Sequence, residues 1–569
     1  MYLKQATSKK TGRTYLSIVH GYWDRQAKQS RTKTIQKIGY LDELQKQYED
    51  PIAHFKEIVD EMNREPKEEK VVSVTFVPSE RLGPETDNRK NIGYAPLSKL
   101  YHGLGLHTFM GSRSRRWKTE YNVDAIMRML VFSRILAPAS KKKTYEGRGM
   151  YFEKMDFSLA DVYRSLSKVI TLKDDIVLHL HKQMRSLFGR DDGVVYYDVT
   201  NYYFEIDEPD ELRKKGVSKE HRPDPIVQMG LLTDAEGIPI TYGLFPGNTN
   251  DCETYVPIFK DVRKRFGLGR IIIVGDKGIN TGDNIAYCLL SGNGYVFSKS
   301  VRGATGELKS YVLNDEGYRL KESGFKIKSR QAPRHIYVTN DEDKKKKTRV
   351  DEKQVVFYSP DYDKKAKADR AAAIAKARDL VNDPSKYTKA TSYGAAKYVK
   401  NLVYDDETGE VLTSKQRPSF DEEKLVEEEK YDGYYVIITS EWRESDEKIL
   451  DIYRGLWQIE EAFRVCKGDL EVRPVYMSRQ DRIEAHFLIC FVALVIARLL
   501  AQFLRNKFSV GRIAESLARS SGSHMEQNWY IFNHADEVTR AVLENMGIDI
   551  GKKYMTLGEI RQLIGDTKK

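Results

Sequence analysis

Three acidic residues of this chain stand where a charge is unfavourable unless something binds it. Asp198 lies towards the end of the apolar run VVYYDVT, and Asp276 closes the apolar run IIIVGD. Glu460 lies in residues 453–467, where apolar residues recur at helical spacing. A carboxylate at a strand end or on an inward helix face is unfavourable unless it is paired or bound to metal. These three acids are therefore our candidate functional residues.

Three carboxylates held on rigid elements suit a hard cation. Mg²⁺ prefers oxygen ligands, takes few of them from the protein, and completes its octahedron with other oxygens such as those of phosphate. Two such ions about 4 Å apart can activate an attacking oxygen and stabilise a leaving oxygen in phosphodiester chemistry. Simpler interpretations stay open, because an Asp at a strand end is also typical of a turn or a helix cap. Glu460 could equally pair with Arg464 on a helix surface.

The surrounding sequence predicts a sheet that could hold the two aspartates. Apolar runs of strand length, bounded by turn residues, predict strands at 193–200, 226–233, 238–245, 270–276 and 295–300. Helical spacing predicts helices at 254–266 and from about residue 282. This order of strands and helices predicts a mixed-sheet α/β core.

Four motifs carry a family resemblance: YYDVTNYYFE, HRPDPIVQMGLLTDAEGIPITYGLFPGNTND, IIIVGDKGINT, and residues 453–467 followed by RPVYM. They resemble the transposases of bacterial insertion sequences, which are DDE enzymes with an RNase H-like core. Asp276 and Glu460 are 184 residues apart, against 78 between Asp198 and Asp276. That spacing resembles the branch with a β-rich insertion before the glutamate. The resemblance covers most of residues 190–505 and, more loosely, the N-terminal third.

The resemblance implies roles for these residues. Asp198, Asp276 and Glu460 become the metal-binding catalytic triad. Tyr453 and Lys467, seven residues before and seven after the glutamate, match positions that contact phosphates of the transposon end, where Lys467 would act as a point charge.

Other positions of the motif are less regular. The family's arginine, three residues after the tyrosine, is replaced by Leu456. Arg454 or Arg464 could take its role, although each points elsewhere on the helix. Trp457 matches an aromatic residue near the reacting strand end, where it could stack on a base or simply pack in the helix. Lys277 could contact phosphate or balance local negative charge.

Four further features have weaker claims. Asp224, in HRPDP, could lie beside substrate phosphate or form a turn before a strand. Glu461 is not expected to replace Glu460, because one helix step turns it about 100° away. Residues 245–251 (FPGNTND) are typical of a turn into a helix, and His486 of a core or polar-contact histidine.

The residues in front of this core favour DNA contact. Residues 1–40 are basic, with strand-like stretches at 14–22 and 31–39 around a polar turn, which suits a phosphate backbone or a solvated edge equally. A charged helix at 51–70 follows as a connector. Residues 92–190 show helical spacing, with basic loops at Arg113, Arg115 and Arg116 and at residues 141–143. These loops are candidates for binding DNA ends, or are ordinary solvated loops.

Residues 301–430 break the rhythm of the core, with β-like stretches, an Ala-rich helix at 364–380 and a lysine run at 344–347 that favours a solvated loop. Core character returns at 432–439, and Ser445 is the predicted N-cap of one long helix.

The fold class predicted is α/β, an RNase H-like mixed sheet flanked by helices and interrupted by an insertion domain. The predicted divisions are 1–70 (basic β-hairpin and connector), 92–190 (helical DNA-binding domain), 191–300 (first part of the core), 301–430 (insertion domain), 431–505 (second part of the core) and 506–569 (C-terminal helical region).

Composition is compatible with this interpretation. The 569 residues carry 94 Lys and Arg against 83 Asp and Glu, a net charge of +11, which permits a polyanionic partner without naming one. The apolar run at 487–497 is too short to span a bilayer and predicts a core helix, so no membrane partner is expected. No secretory signal is visible, and four widely spaced cysteines favour a reducing compartment, the bacterial cytoplasm at the nucleoid.

The function predicted is therefore a Mg²⁺-dependent DNA transposase, for which Mn²⁺ could also serve. Double-stranded DNA, at transposon ends and target, is the expected partner, and pairing two ends implies a homodimer on DNA. A metal-dependent nuclease that cuts without joining stays open, as does an inactive, domesticated DNA-binding protein. If the triad is correct, the three carboxylates should converge on one metal site.

Overall fold

The structure is a computed structural model that describes residues 1–8, 11–24, 29–64, 73, 79, 81, 83, 87–220, 222–340, 342–387, 391–392, 394–404, 411–412 and 417–569. The chain divides into two compact units, residues 1–81 and 82–569. Each unit is described by itself.

The first unit is a small antiparallel sheet followed by helices. Its elements are β1 (Tyr2–Thr7), β2 (Thr14–Asp24), β3 (Gln29–Tyr40), α1 (Leu41–Leu44) and α2 (Pro51–Arg64). The strand order is β1-β2-β3, so the two predicted strands are present and a third strand precedes them. Residues 25–28 of the predicted turn and residues 65–70 of the predicted connector lie outside the described part of the chain.

The second unit begins with a short strand and a group of helices, as the helical spacing predicted. These are β4 (Arg89–Asn91), α3 (Ala95–Gly103), α4 (Leu106–Ser114), α5 (Val123–Leu136), α6 (Lys141–Glu146), α7 (Leu159–Val169) and α8 (Lys173–Phe188). One prediction here is wrong: Arg113 lies in α4 and residues 141–143 lie in α6 rather than in basic loops, and Lys141 is not solvated. It begins α6 and its side chain is buried.

A mixed sheet with two helices follows. Its elements are β5 (Val194–Tyr203), β6 (Ile226–Thr233), β7 (Pro239–Pro246), α9 (Tyr255–Phe266), β8 (Ile272–Gly275), α10 (Gly282–Leu290) and β9 (Gly294–Lys299). The strand order is β7-β6-β5-β8-β9. The β7-β6-β5 pairs are antiparallel, and the β5-β8 and β8-β9 pairs are parallel. This is the RNase H-like arrangement that the sequence predicted.

Residues after β9 extend that sheet. They form α11 (Gly306–Leu313), β10 (Arg319–Leu320), β11 (Lys326–Thr339), β12 (Lys345–Tyr358), α12 (Pro360–Asn382), β13 (Val399–Lys400), β14 (Ser419–Phe420), α13 (Glu422–Glu429) and β15 (Tyr434–Thr439). The full order is β10-β11-β12-β15-β9-β8-β5-β6-β7. The β-like stretches of the insertion therefore lengthen the central sheet, because β15 pairs with both β9 and β12.

The lysine run was predicted as a solvated loop, and the structure corrects this in part. Lys345, Lys346 and Lys347 lie in β12, where they pair with the end of β11 and remain exposed. A strand edge tolerates lysines whose ammonium groups stay in water.

The chain then returns to helices. These are α14 (Asp446–Arg454), α15 (Trp457–Arg464), a π-helical turn (Val465–Asp469) and α16 (Gln480–Phe503). Ser445 caps α14 by accepting from the Lys448 amide at 3.1 Å, as predicted. Helix α16 is long and apolar enough to cross a membrane, yet most of it is buried against α3, α5, α7 and β7. It is the core helix that its apolar run predicted.

The C-terminal residues are not only helical. They form α17 (Val510–Arg519), β16 (Ser521–His524), β17 (Trp529–Phe532), α18 (Glu537–Met546), β18 (Tyr554–Thr556) and α19 (Leu557–Asp566). The strands join β4 in the order β18-β17-β16-β4, so the end of the chain is tied to the start of the second unit.

Candidate active site

Strand register places the two aspartates side by side. In the parallel pair β5-β8, Val194 lies opposite Ile272 and Tyr196 opposite Val274. Continuing that register by two residues sets Asp198 opposite Asp276, just beyond the end of β8. Neighbouring strands lie about 4.8 Å apart, so both carboxylates start from adjacent positions, Asp198 within β5 and Asp276 directly after β8.

The two faces of β5 contact different helices. The Tyr196 hydroxyl donates to the Ile452 carbonyl of α14 at 3.1 Å. Tyr197 points the other way, with its hydroxyl 2.6 Å from the Thr254 hydroxyl and its ring against α9. Because side chains alternate along a strand, Asp198 shares the face of Tyr196. It therefore faces the α14–α15 side of the sheet.

The predicted single helix through Glu460 is interrupted. Gly455 and Leu456 form a break between α14 and α15, and the helix ends in the π-helical turn. A Cβ on Gly455 would collide with the Tyr196 hydroxyl. Glycine is needed here for that close approach to β5, although its backbone stays in the right-handed helical region.

Gly455→Ala should lower the free energy of unfolding of the second unit by about 2 kcal/mol. The added methyl group displaces the Tyr196 side chain and breaks its hydrogen bond to Ile452. Urea unfolding monitored by circular dichroism measures the change. Gly468→Ala is the matched control, because a Cβ there meets nothing within 4 Å. Equal stability of the two variants would contradict this packing.

Glu460 lies in α15 and is exposed. Tyr453 and Lys467, seven residues before and after it, are half-buried. Burial raises the pKa of Tyr453 to about 12, and Asp276 acts in the same direction. Burial lowers the pKa of Lys467 to about 8, while Asp198 opposes this. Glu460 is thus flanked by one residue near each aspartate.

Glu461 is paired with Arg464 on the helix surface. It accepts two hydrogen bonds from the Arg464 guanidinium, each of 2.7 Å. The pair assumed in the simpler interpretation, Glu460 with Arg464, is therefore replaced by Glu461 with Arg464. Arg464 is held on the helix surface by Glu461.

A third aspartate, Asp251, joins the site, although the sequence pattern around it predicted only a turn into a helix. A Cβ on Gly278 would lie 3.0 Å from Asp276 Oδ1 and 3.6 Å from Asp251 Oδ2, so the two carboxylates approach each other across Gly278. Burial raises the pKa of Asp198 to about 7; Lys219 opposes this shift, while Asp276 and Asp251 add to it. The acids repel one another, which is the electrostatic condition that a bound cation relieves.

Lys219 and Glu220 carry opposite charges and both contact residues of the candidate site. Lys219 Nζ lies 3.6 Å from Asp251 Oδ2 and donates to the Val199 carbonyl. Glu220 accepts from Lys467 Nζ at 3.1 Å and forms an ion pair with Arg473. Neither residue stood out in the sequence, because nothing in their spacing indicates that a loop returns them to β5.

The donor chemistry fits divalent metal, but the ligands are not assembled. The aspartates offer carboxylate oxygens, which hard cations prefer. Among the described residues no group of three His, Cys, Asp or Glu side chains is arranged to hold a metal ion. The expected convergence of Asp198, Asp276 and Glu460 is therefore not present in this structure.

The other candidate residues are dispersed. Trp457 is 56% exposed, so its side chain does not pack in the protein interior. Lys277 is exposed next to Asp276. Arg113 lies 3.5 Å from Asp175, whereas Arg115 and Arg116 are exposed.

Two weaker candidates have structural partners. Arg222 donates to Asp224 at 2.9 Å, which fits a turn before β6; His221 lies outside the described residues. His486 is buried and contacts Lys141 and the Val472 carbonyl, which is the polar-contact role predicted for it.

Comparison with known proteins identifies the family of this chain. The family model of the transposase DDE domain matches residues 208–496, a range that contains Asp276 and Glu460 and begins after Asp198. The model of the N-terminal domain of the IS1634 family transposases matches residues 3–71. No curated protein matches the chain. A cryo-EM structure of a piggyBac transposase synaptic complex with hairpin DNA is similar over 84% of this chain and 86% of that chain, with 10% identity and a TM-score of 0.35. On the two family matches, the chain belongs to the DDE transposases of insertion sequences.

Proposed function

We propose that this transposase cleaves phosphodiester bonds at insertion-sequence ends and transfers the resulting 3′-OH strand into target DNA. Asp198, Asp276 and Glu460 are the proposed catalytic residues. The observation that carries this proposal is the β5-β8 register, which sets Asp198 opposite Asp276 on the face covered by α14 and α15. The bacterial cytoplasm, at the nucleoid, is the proposed place of action.

Both steps exchange one phosphorus–oxygen bond for another. In the first, water attacks phosphorus, the bond to the 3′ oxygen breaks, and a 3′-OH and a 5′-phosphate remain. In the second, that 3′-OH attacks a target phosphodiester and displaces its 3′ oxygen. Carboxylates at the site would orient the attacking oxygen and accept its proton.

Asp198, Asp276 and Glu460 would hold two Mg²⁺ ions, which Mn²⁺ can replace, with Asp251 beside them. When bound, such ions lower the pKa of a bound water and stabilise charge on the leaving oxygen. Glu460 must move inward for this, and its exposed position leaves it room to do so. Lys219, now close to Asp251, would give up that contact.

The proposed DNA contacts surround the acids. Lys467 and Tyr453 would bind transposon-end phosphates, and Trp457 would stack on a base. Lys467 is held by Glu220 in the free protein, so a phosphate would have to replace that carboxylate. Further phosphate contacts are assigned to the basic residues Lys277, Arg464, Arg113, Arg115 and Arg116. Two ends held at once imply a homodimer on DNA.

Trp457→Ala should weaken binding of an element-end duplex about 10-fold, since stacking of one base contributes about 1–3 kcal/mol. Stability should change little, because the side chain is exposed. Fluorescence anisotropy with labelled DNA measures the affinity. Trp442→Ala is the control, as Trp442 is 48% exposed and lies outside the proposed site. Equal losses in both variants would remove Trp457 from the proposed contact.

Metal binding can be tested without catalysis. Fe²⁺ bound in place of Mg²⁺ reduces added hydrogen peroxide to hydroxide and a hydroxyl radical, which cuts the nearest backbone, and added ascorbate regenerates the Fe²⁺. We expect fragments ending near residues 198, 276 and 460, suppressed by excess Mg²⁺. Fragments elsewhere, or the same pattern in Asp276→Asn, would contradict the proposed ligands.

A further inference from the structure

A cavity of about 90 Å³ lies between the helical region and the core. Its lining includes Arg134 and Lys141 from one side and Arg473 and His486 from the other. The volume is several times what one water molecule needs, so a small polyatomic ligand fits.

The Lys141 ammonium in this cavity has no carboxylate partner among the residues that the structure describes. The residue is 2% exposed, and its Nζ lies 3.0 Å from His486 Nδ1. His486 Nε2 donates to the Val472 carbonyl at 3.0 Å, so Nδ1 accepts a hydrogen bond from the Lys141 ammonium. Among the described lining residues the single acid is Glu471, whose side chain is exposed. A lysine buried this deeply is almost always paired with an anion.

Arg134 adds to the positive charge. It is 5% exposed and donates to backbone carbonyls through its terminal nitrogens, including the Ala139 carbonyl at 3.0 Å. Its buried Nε has no hydrogen-bond partner within the described part of the chain. Burial lowers the pKa of Lys141 to about 7, and Arg134 acts in the same direction. An anion in the cavity would offset both the cost of burying the Lys141 ammonium and its repulsion by Arg134.

The cavity connects to the candidate active site through ion pairs. Arg473, in its wall, pairs with Glu220, and Glu220 also pairs with Lys467. Lys467 in turn interacts with Asp198. A group bound in the cavity therefore lies on the side of the candidate site that carries Arg473 and Lys467.

We propose that this cavity binds the terminal 5′-phosphate of a DNA strand. The inference rests on the proposed function, whose hydrolytic step leaves such a phosphate monoester. A monoester carries up to two negative charges and is a chain end, so it can enter a small recess that a continuous phosphodiester cannot. The ammonium of Lys141 and the guanidinium groups supply charge-assisted hydrogen bonds.

The test compares two DNA duplexes that differ only in a 5′-phosphate or 5′-hydroxyl at the cleaved end. Anisotropy in EDTA measures binding without cleavage. The full-length protein should prefer the phosphorylated duplex about 10-fold, as one or two charge-assisted hydrogen bonds would give. Millimolar inorganic phosphate should reduce that preference by competing for the cavity.

Lys141→Met should bring the preference below about 2-fold, because it removes the charge and keeps the side chain's length. Lys142→Met is the matched control: its neighbouring side chain is 70% exposed, and the preference should remain. Ala139→Met offers a second route, since it fills the cavity and keeps every charge. It decides the question if Lys141→Met does not fold.

Equal binding of the two duplexes by the wild-type protein would overturn the proposal. So would an undiminished preference in both Lys141→Met and Ala139→Met. If inorganic phosphate stabilises the protein against heat but no 5′-phosphate preference exists, the cavity takes free phosphate and the assignment to DNA fails. These outcomes are independent of catalysis, so they are distinct from a failure of the catalytic triad.

Discussion

Asp276→Asn should reduce cleavage of an element-end duplex about 10³-fold or more while the protein stays folded. The amide keeps the size of the side chain and can still accept from the Gly278 amide, which now donates to Asp276 at 2.7 Å. What it loses is the negative charge that, beside Asp198, attracts a divalent cation. Gel-resolved cleavage in Mg²⁺ measures the rate, and thermal unfolding verifies the fold.

The control for this variant is Asp224→Asn. Asp224 is in contact with Arg222 and lies in the turn before β6. We expect its cleavage rate to stay within about 3-fold of wild type, as for a surface ion pair worth under 1 kcal/mol. Unchanged cleavage by Asp276→Asn would remove Asp276 from the catalytic residues.

Glu460→Gln should reduce cleavage about 10²–10³-fold, as loss of a group that stabilises the transition state does. Glu461→Gln, one residue away, should change it less than about 3-fold, because Glu461 forms an exposed surface pair with Arg464. The two substitutions are chemically identical and share one helix. Their ratio therefore reports which carboxylate belongs to the site, independently of helix stability.

The reverse ratio would have a definite meaning. A large loss in Glu461→Gln with little loss in Glu460→Gln would show that α15 rotates in the active complex. The triad would then be Asp198, Asp276 and Glu461.

The sheet and the two aspartates were predictable because their signals are local. Apolar runs bounded by turns predicted β5, β6 and β8 within a few residues. An acid inside such a run marked Asp198, and an acid directly after one marked Asp276. Their adjacency follows from register, which depends on strand order and could be inferred only through the family resemblance.

What the sequence did not reveal depends on contacts between distant segments. Lys219 and Glu220 reach the site through a loop whose path no periodicity encodes. Lys141 looked like a solvated lysine, because its burial comes from His486, far along the chain. Gly455 interrupts the helix to admit a tyrosine of β5, and that close approach leaves no local pattern.

The strand-transfer reaction tests the central claim most directly. A duplex of the element's end, pre-cleaved to expose its 3′-OH, is incubated with target DNA and either Mg²⁺ or EDTA, and the products are resolved on a denaturing gel. We predict joined product in Mg²⁺, and in Mn²⁺, with none in EDTA and none from Asp276→Asn. Cutting of uncleaved ends without any joining would instead identify a nuclease. DNA binding with neither cutting nor joining in either metal would identify an inactive DNA-binding protein.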